Sequence, residues 1–371
     1  ALHAGLTAFR KDASLFSAIE ISELLIACGK VLEAFLIELF DIQNAADFLR
    51  AKTLAENPVG AFKESFVLRR AKKLVLKAKD LPSFTELNNW LEEELKKAPV
   101  QTTDKELAVA LLANHYLAHA EEHPVEIEKL TQWCAQSIAS PEGQIAVKGW
   151  TSFRLPQRTE YENLVPTHSI NDKLGRLAYA DDHLRFRDGF KLTDPRMNAR
   201  EVQDEVNYCI YCHDHDGDFC SKGFPAKKGD PSQGFKKNPL DVTLIGCPLE
   251  EKISEMNLLK KEGAGLAALA MVMVDNPMCP ATGHRICNDC MKACIYQKQD
   301  PVNIPQIETR VLTDVLALPW GVEIYDLLTR WNPLREKQFV MKPYNGLKVM
   351  IAGMGPAGFT LAHHLLLEGF A

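Results

Sequence analysis

The segments CIYCHDHDGDFC (209–220) and CNDCMKAC (287–294) hold six of the ten cysteines in this chain of 371 residues. Two more, Cys247 and Cys279, lie between these segments, and a proline follows each of them. Steps such as C-x2-C let one backbone turn aim two sulfurs at a common centre, and thiolates are soft ligands that suit zinc or iron–sulfur clusters. Eight cysteines within the 86 residues from 209 to 294 therefore predict metal or cluster ligation.

Four interpretations of these cysteines remain open from the residues alone. Two 4Fe–4S clusters are favoured, because cysteine followed by proline recurs in ferredoxin-type motifs. Structural zinc is the second interpretation, since each C-x2-C pair could begin a tetrahedral site and His213 and His215 lie beside one pair. The others are a redox dithiol formed by Cys287 and Cys290, and ordinary buried cysteines.

The composition narrows the class of protein. Lys and Arg number 43 and Asp and Glu number 49, a net charge of -6, so we expect no nucleic-acid partner, which would need a basic face. No apolar run approaches the ~20 residues of a membrane span, and the first residues lack the pattern of a secretory signal. We therefore expect a cytoplasmic protein without a disulfide framework, in which the isolated Cys28 and Cys134 are small buried hydrophobes.

The spacing of apolar residues predicts a mainly α chain. Residues 1–200 are expected to form a helical region of unknown role that ends in an irregular connector. Within it, the basic segment 62–80 is predicted to be an amphipathic helix whose charged face either docks an acidic partner or is simply solvated. Three further helices are predicted at 248–263, 264–275 and 304–318. The segment 221–239, which is rich in Gly, Pro and Lys, is predicted to be an exposed loop.

The end of the chain carries a glycine motif. LKVMIA (347–352) alternates as a short strand and runs into GMGPAG (353–358), which opens an apolar helix. A strand, G-x-G-x-x-G and a helix in this order form a dinucleotide-binding context. The first glycine would allow the tight turn, the second would let the backbone approach a pyrophosphate, and the third would let helix and strand pack closely. The predicted cofactor-binding residues are Gly353, Gly355, Pro356, Ala357 and Gly358.

The order of these motifs resembles a known family. It is similar to the α-helical ferredoxin domain and following flavin domain of the small (β) subunit of glutamate synthase, and to the N-terminal module of dihydropyrimidine dehydrogenase. The resemblance covers about residues 201–371, and none is evident for residues 1–200. The matching features are, in order, Cys209, Cys212, Cys220, Gly-Cys-Pro at 246–248, Asn-Pro-Met-Cys-Pro at 276–280, Cys290-x3-Cys294, Val-Asn-Ile at 302–304 and GMGPAG.

The resemblance implies two 4Fe–4S clusters with crossed ligation. The first would be held by Cys209, Cys212, Cys220 and Cys294. The second would be held by Cys247, Cys279, Cys290 and a non-cysteine side chain, for which the matching residue is Glu308. From its position alone Glu308 would be a solvated residue of a first helical turn. Cys287 is extra to the family pattern and competes with Cys290 for one ligand position. Cys290 is favoured because its x3 step to Cys294 matches the family, and Cys287 is then either a spare thiol or a replacement for Glu308.

Other departures and neighbours are also visible. The gap before Cys220 is longer than in the family, and the Lys-rich segment separates Cys220 from Cys247. Three histidines near the cysteines either tune the clusters through hydrogen bonds and charge or are exposed loop residues. They are His213, His215 and His284.

The resemblance also implies a domain order and an activity. Residues 201–340 would form the α-helical ferredoxin-like domain, and 341–371 would begin an incomplete Rossmann-like domain for FAD or NAD(P). We expect the chain to be part of a longer flavoprotein, because the ribose-binding acidic residue belongs ~20 residues after the motif.

In this interpretation the chain is the electron-transfer part of an NAD(P)H-dependent, FAD-containing oxidoreductase, with no catalytic side chain of its own. Its partners would be the flavin domain and an electron-accepting protein or subunit. The alternatives are a zinc-stabilised interaction scaffold, or a flavoprotein module that has lost its clusters and serves only assembly.

Overall fold

The computed structural model describes residues 1–98, 102–165, 167–170, 173–179, 189–191, 195–215, 217–227, 230–283 and 286–371. Helices make up 59% of the chain and strands 5%, which confirms the mainly α fold class. Within the described ranges the buried apolar side chains form two hydrophobic cores, and helices build both of them.

The first core joins the N-terminal helices to the cysteine-rich segment. Its side chains come from residues 9–42 and from residues 202–334. The helices of the first stretch are α1 Leu2–Lys11, α2 Ala18–Leu39 and α3 Gln43–Leu54. The core thus combines segments that the predicted boundary at residue 200 assigns to different regions.

Helix α2 is capped at its start and bonded to this core farther along. It begins at a capping box, in which Ser17 and Glu20 each accept a hydrogen bond from the other's backbone N–H. Farther along, the buried carboxylate of Glu33 accepts a hydrogen bond from the backbone N–H of Ala267 at 2.9 Å. Ala267 lies in the first turn of a buried helix, where a negative charge is favourable.

The second core lies within residues 57–155. Phe62, Phe66 and Trp133 are among its fully buried side chains. The segment 62–80 is helical, as predicted, but its geometry changes along its length rather than forming one α-helix. The elements are α4 Asn57–Phe62, a π-helical turn Lys63–Ala71, α5 Lys72–Leu74, a 3₁₀ turn Val75–Asp80, α6 Phe84–Lys97, α7 Lys105–Ala118, α8 Pro124–Ala139 and α9 Pro141–Ala146.

Charged contacts link the two cores. The guanidinium of Arg200 forms ion pairs with Glu56, Asp104 and Glu106. Lys63 pairs with Asp204 at 2.7 Å, and both side chains are about nine-tenths buried. These pairs hold the second core against the helix that leads into the first cysteine.

The connector runs alongside the cysteine-rich module. Strands β1 Thr167–Ser169 and β2 Leu177–Tyr179 form a small antiparallel hairpin within it. Before this hairpin, the backbone N–H of Thr159 donates to the carbonyl of Lys298 at 3.1 Å. The hydroxyl of Tyr161 donates to the carbonyl of Gln297, also at 3.1 Å. The connector therefore packs on the loop that follows the last cysteine.

The cysteine-rich module confirms two predicted helices and corrects two other predictions. The helices expected at 264–275 and 304–318 are present. The helix expected from 248 begins five residues later, because Glu250 adopts a left-handed backbone (φ 52°) in a tight turn. The elements are α10 Ala199–Tyr208, α11 Phe219–Lys222, β3 Pro225–Lys227, β4 Asp230–Phe235, α12 Ile253–Lys261, α13 Gly265–Asp275, α14 Cys279–Thr282, α15 Asp289–Ala293, α16 Ile304–Leu316 and α17 Gly321–Arg330.

The second correction concerns 221–239, which was expected to be an exposed loop. Part of it forms the antiparallel hairpin β3–β4. The rings of Phe219 and Phe224 stack with their centroids 4.4 Å apart, and the Lys236 ammonium lies over the Phe224 ring. These aromatic contacts stabilise a turn-rich segment whose composition alone resembles a loop.

The end of the chain departs from the strand–turn–helix prediction. Helix α18 Pro356–Leu367 starts where the glycine motif places it. Gly353 has a φ of 115°, and a Cβ at Gly358 would lie 2.3 Å from the Gly353 carbonyl oxygen, so both positions require glycine. The strand expected at 347–352 is not formed. The backbone of Ala371 accepts from the N–H of Val349 at 2.8 Å and donates to the carbonyl of Leu347 at 3.1 Å, but this single residue is too short a partner for a ladder. A Rossmann-like domain stays a prediction.

Candidate metal centre

Four of the predicted cysteines line one small cavity, which we call the first site. The cavity measures about 20 Å³, and its remaining walls are Asn257, Ser254, Tyr296 and apolar side chains. The cysteines come from four separate places: the end of α10, a 3₁₀ turn Cys212–His215, helix α11 and the end of α15. They are Cys209, Cys212, Cys220 and Cys294, the set that the resemblance assigns to the first cluster.

Local backbone geometry brings the first two of these cysteines together. Tyr211 adopts a left-handed conformation (φ 53°), which reverses the chain between Cys209 and Cys212. Its hydroxyl donates to the carbonyl of Val206 at 2.6 Å, which fixes the turn against α10. The C-x2-C step is therefore held by a side-chain anchor.

The electrostatics of the first site reflect burial among thiols. Burial raises the pKa of Cys212 to about 12, and the neighbouring Cys209 and Cys294 act in the same direction. Burial also raises the pKa of Cys209, although the neighbouring side chain of Asn257 opposes this. Both polar atoms of the Asn257 amide are buried, and neither has a hydrogen-bond partner of standard geometry among the described residues. The amide therefore lies in the cavity wall beside the thiols without a competing partner.

The remaining predicted ligands form a second group, the second site. Cys279 opens α14 and Cys290 lies in α15, and both side chains are buried. Cys247 is half-buried and Cys287 is exposed. Burial is the largest cause that raises the pKa of Cys290, and the charges of Cys247 and Glu308 are the next largest. The structure therefore brings these groups within electrostatic range of one another.

Cys287 and Cys290, which compete for one ligand position of the second site, differ in burial. Cys290 is 7% exposed and belongs to the first core, whereas Cys287 is exposed on the loop before α15. Since both remain close to Glu308, neither is removed from the second site. Cys290 as the ligand stays the preferred proposal.

Glu308 is not the solvated first-turn residue expected from its position alone. Its side chain is 8% exposed, and burial together with the charge of Glu251 raises its pKa well above the usual range. The amide of Asn276 donates to Glu308 Oε1 at 3.1 Å and to Glu251 Oε1 at 2.8 Å. Tertiary packing of α16 over α14 explains the difference, because it covers the helix start that the sequence leaves open.

The two sites adjoin through the backbone. The N–H of Cys247 donates to the carbonyl of Cys220 at 2.9 Å. Beside them, Gly246 has a φ of 76°, and a Cβ there would lie only 2.4 Å from the backbone nitrogen of Gly223. Only glycine permits this approach, which links one cysteine of each site directly.

The histidines take different positions. His213 is buried, and its Nδ1 lies 2.6 Å from the Ser254 hydroxyl, so the expectation of an exposed loop residue is wrong for it. His215 is exposed as expected, and His284 lies outside the described residues. Cys28 and Cys134 are both buried and apart from the two sites, which confirms that they are core residues.

Three polar residues of these sites were missed by sequence reasoning. Asn276 was part of the quoted Asn-Pro-Met-Cys-Pro motif but was given no role, and Glu251 was expected in a first helical turn. Asn257 carried no signal, because a polar residue within a predicted helix is normally solvated.

Two features are absent from the described ranges. No three His, Cys, Asp or Glu side chains there are arranged to hold a single metal ion. No helix in those ranges combines the length and apolar character needed to span a membrane.

Comparisons with known proteins give a distant similarity to an oxidoreductase subunit. The chain is 30% identical to the small chain of glutamate synthase [NADPH] from Mycobacterium tuberculosis over 125 residues. That match covers 33% of this chain and 22% of the relative. It supports an oxidoreductase-like region within the chain.

Two further relatives come from Rickettsia prowazekii. The uncharacterized protein RP006 is 59% identical over 92 residues, which are 25% of this chain and 13% of that protein. The uncharacterized protein RP005 is 28% identical over 276 residues, which cover 70% of this chain and 88% of that protein. No family model and no solved structure matches the chain.

Proposed function

We propose that this chain is the iron–sulfur electron-transfer portion of an FAD-dependent NAD(P)H oxidoreductase similar to the small subunit of glutamate synthase. The observation that carries the proposal is the convergence of Cys209, Cys212, Cys220 and Cys294, from four separate segments, on one cavity. A mainly thiol donor set with apolar walls fits an iron–sulfur cluster. The similarity to glutamate synthase small chains supports the same class of activity.

The chain's own residues would bind and shield two clusters. The first site offers four thiols, and the second offers Cys247, Cys279 and Cys290 with Glu308 as the non-cysteine donor and Cys287 nearby. Burial of these side chains excludes water and holds the thiols in a low-dielectric setting, which sets cluster potentials. When bound, the two 4Fe–4S clusters would carry single electrons between a flavin and a partner site.

The glycine motif is proposed to serve the flavin in the longer parent protein. Gly353, Gly355 and Gly358 would place the pyrophosphate of FAD at the start of α18, with Pro356 and Ala357 opening that helix. The close approach of Gly358 to the Gly353 carbonyl supports this assignment. NAD(P)H would be the electron donor and a protein or subunit the acceptor, and the cytoplasm the compartment.

The proposal is tested by an optical spectrum of anaerobically purified chain, with iron, zinc and sulfide measured on the same sample. Two 4Fe–4S clusters predict a broad brown band and about eight irons per chain. A colourless protein with one or two tightly bound zinc ions would instead establish the zinc-stabilised scaffold.

A further inference from the structure

Two buried carboxylates meet beside the second site. The side chains of Glu251 and Glu308 are 5% and 8% exposed. Each is close enough to act on the thiols: both charges bear on Cys279 and on Cys290. Placing two like charges together away from water is costly unless hydrogen bonds compensate. The pair therefore calls for a specific partner.

That partner is Asn276, whose side chain is 4% exposed. Its Nδ2 carries two hydrogens and uses one for each carboxylate, at 2.8 Å to Glu251 Oε1 and at 3.1 Å to Glu308 Oε1. The hydroxyl of Thr282 donates to Asn276 Oδ1 at 2.8 Å. This third bond holds the carbonyl end of the amide toward Thr282, so that the NH2 end points at the carboxylates.

The surroundings restrict how Glu308 could move. A Cβ at Gly283 would lie 3.2 Å from Glu308 Oε1 and 2.9 Å from the carbonyl oxygen of Cys279. The carboxylate is thus enclosed by the backbone that follows one predicted ligand and by the Asn276 amide. Its position is set from two sides.

We propose that Asn276 is a positioning residue of the second site, which holds Glu308 in place as the non-cysteine donor and keeps the carboxyl group of Glu251 beside it. The inference rests on the proposed function, because it concerns a cluster bound by Cys247, Cys279 and Cys290. In its ionised form, Glu251 would lower the reduction potential of a centre bound there, since a nearby negative charge disfavours an added electron.

The test compares variants of the anaerobically purified chain. Asn276→Leu removes both hydrogen bonds at similar volume. We expect a loss of up to about half of the eight irons, or a changed electron paramagnetic resonance signal of the second centre, with the first centre retained. Glu251→Gln keeps an acceptor for Asn276 but removes the charge. We expect full iron with the second potential shifted upward.

The matched control is Glu255→Gln. Glu255 is another buried glutamate of the same module, but its carboxylate accepts a hydrogen bond from Ser22 at 2.6 Å rather than from Asn276. This variant should leave the potential of the second centre unchanged. If Asn276→Leu fails to fold, as circular dichroism would show, Thr282→Val takes its place, because it removes the hydrogen bond that orients the Asn276 amide. An unchanged signal of the second centre in Thr282→Val would then overturn the role of Asn276.

The outcomes separate the two proposals. A wild-type chain without iron would overturn the proposed function and this inference together. A wild-type chain with two centres, combined with unchanged signals and potentials in both Asn276→Leu and Glu251→Gln, would overturn only the role of Asn276. If Glu251→Gln and Glu255→Gln shift the potential equally, the charge effect is not specific to Glu251 and the inference fails.

Discussion

The two cysteine sites offer similar thiols in different electrostatic settings. No carboxylate is among the described side chains that line the cavity of the first site, although the charge of the buried Asp218 acts on Cys220 and Cys212 from outside that lining. The second site adds Glu251 and Glu308, both buried. The difference shows that sites adjoining through one backbone hydrogen bond can differ in charge. If both hold clusters, the first should have the higher reduction potential.

The largest expected effect breaks the second site alone. Cys290→Ser should remove about four of the eight irons, because it deletes a buried ligand. Cys287→Ser is the matched control, and it should leave the iron count unchanged because that side chain is exposed. Iron and sulfide analysis of both variants checks this. Full iron in the first variant and lost iron in the second would reverse the ligand choice.

A second prediction concerns a substitution outside both sites and its effect on stability and on the iron content of each site. Arg200→Met leaves Glu56, Asp104 and Glu106 without their shared cation, and should cost about 3 kcal/mol of stability. We expect a lower denaturant midpoint with an unchanged iron count, because Arg200 touches neither site.

The control for this prediction is Arg330→Met. The Arg330 pair with Asp326 is largely exposed, and its loss should change stability by less than about 1 kcal/mol. Selective loss of iron from one site in Arg200→Met would show that the contact between the cores supports that site in particular.

A third prediction makes the first site resemble the second. Asn257→Asp places a carboxylate against Cys209 at nearly constant volume, and the added negative charge should lower the potential of the first centre. Anaerobic redox titration followed by electron paramagnetic resonance measures the shift. Asn89→Asp, a change at an exposed position of α6 beside the second core, should leave both potentials unchanged. An unchanged first potential would contradict the charge account of the comparison.

The smallest expected effect concerns thiol reactivity in metal-free chain. Burial raises the pKa of Cys212 to about 12 and that of Cys247 to about 11, so at neutral pH both are protonated and poorly nucleophilic. Cys287 is exposed and should be alkylated first by iodoacetamide. Burial and nearby carboxylates raise the pKa of Cys287 as well, so its rate should rise with pH, and at pH ~9 its absolute rate should still exceed that of Cys212. Mass spectrometry of timed samples measures the order of alkylation. Modification of Cys212 before Cys287 would contradict the prediction.

Much of the helical fold followed from periodicity, because the deciding signals were local. The helices α13 and α16 were predicted from apolar spacing and from Pro305 at the start of α16. Long-range contacts decided the failures. The hairpin β3–β4 depends on aromatic stacking, and the segment before the glycine motif pairs with only one residue, Ala371, among those described.

The candidate site divides in the same way. Cysteine spacing was enough to propose the two ligand sets, since C-x2-C and C-x3-C are local patterns. Asn276, Glu251 and Asn257 were missed, because their roles arise only when separate helices pack around the thiols. A polar residue in a helical pattern looks the same in sequence whether water or a buried partner receives its hydrogen bonds.

The packing of α2 on α13 has a consequence for how the chain folds during synthesis. Glu33 caps a helix whose residues emerge from the ribosome much later, so this core has many non-local contacts and should fold slowly. The unit at residues 57–155 has its own core and can form first. Both cysteine sites would then assemble late. The N-terminal helices would keep apolar surface exposed until the cysteine-rich segment has been synthesised and can pack on them.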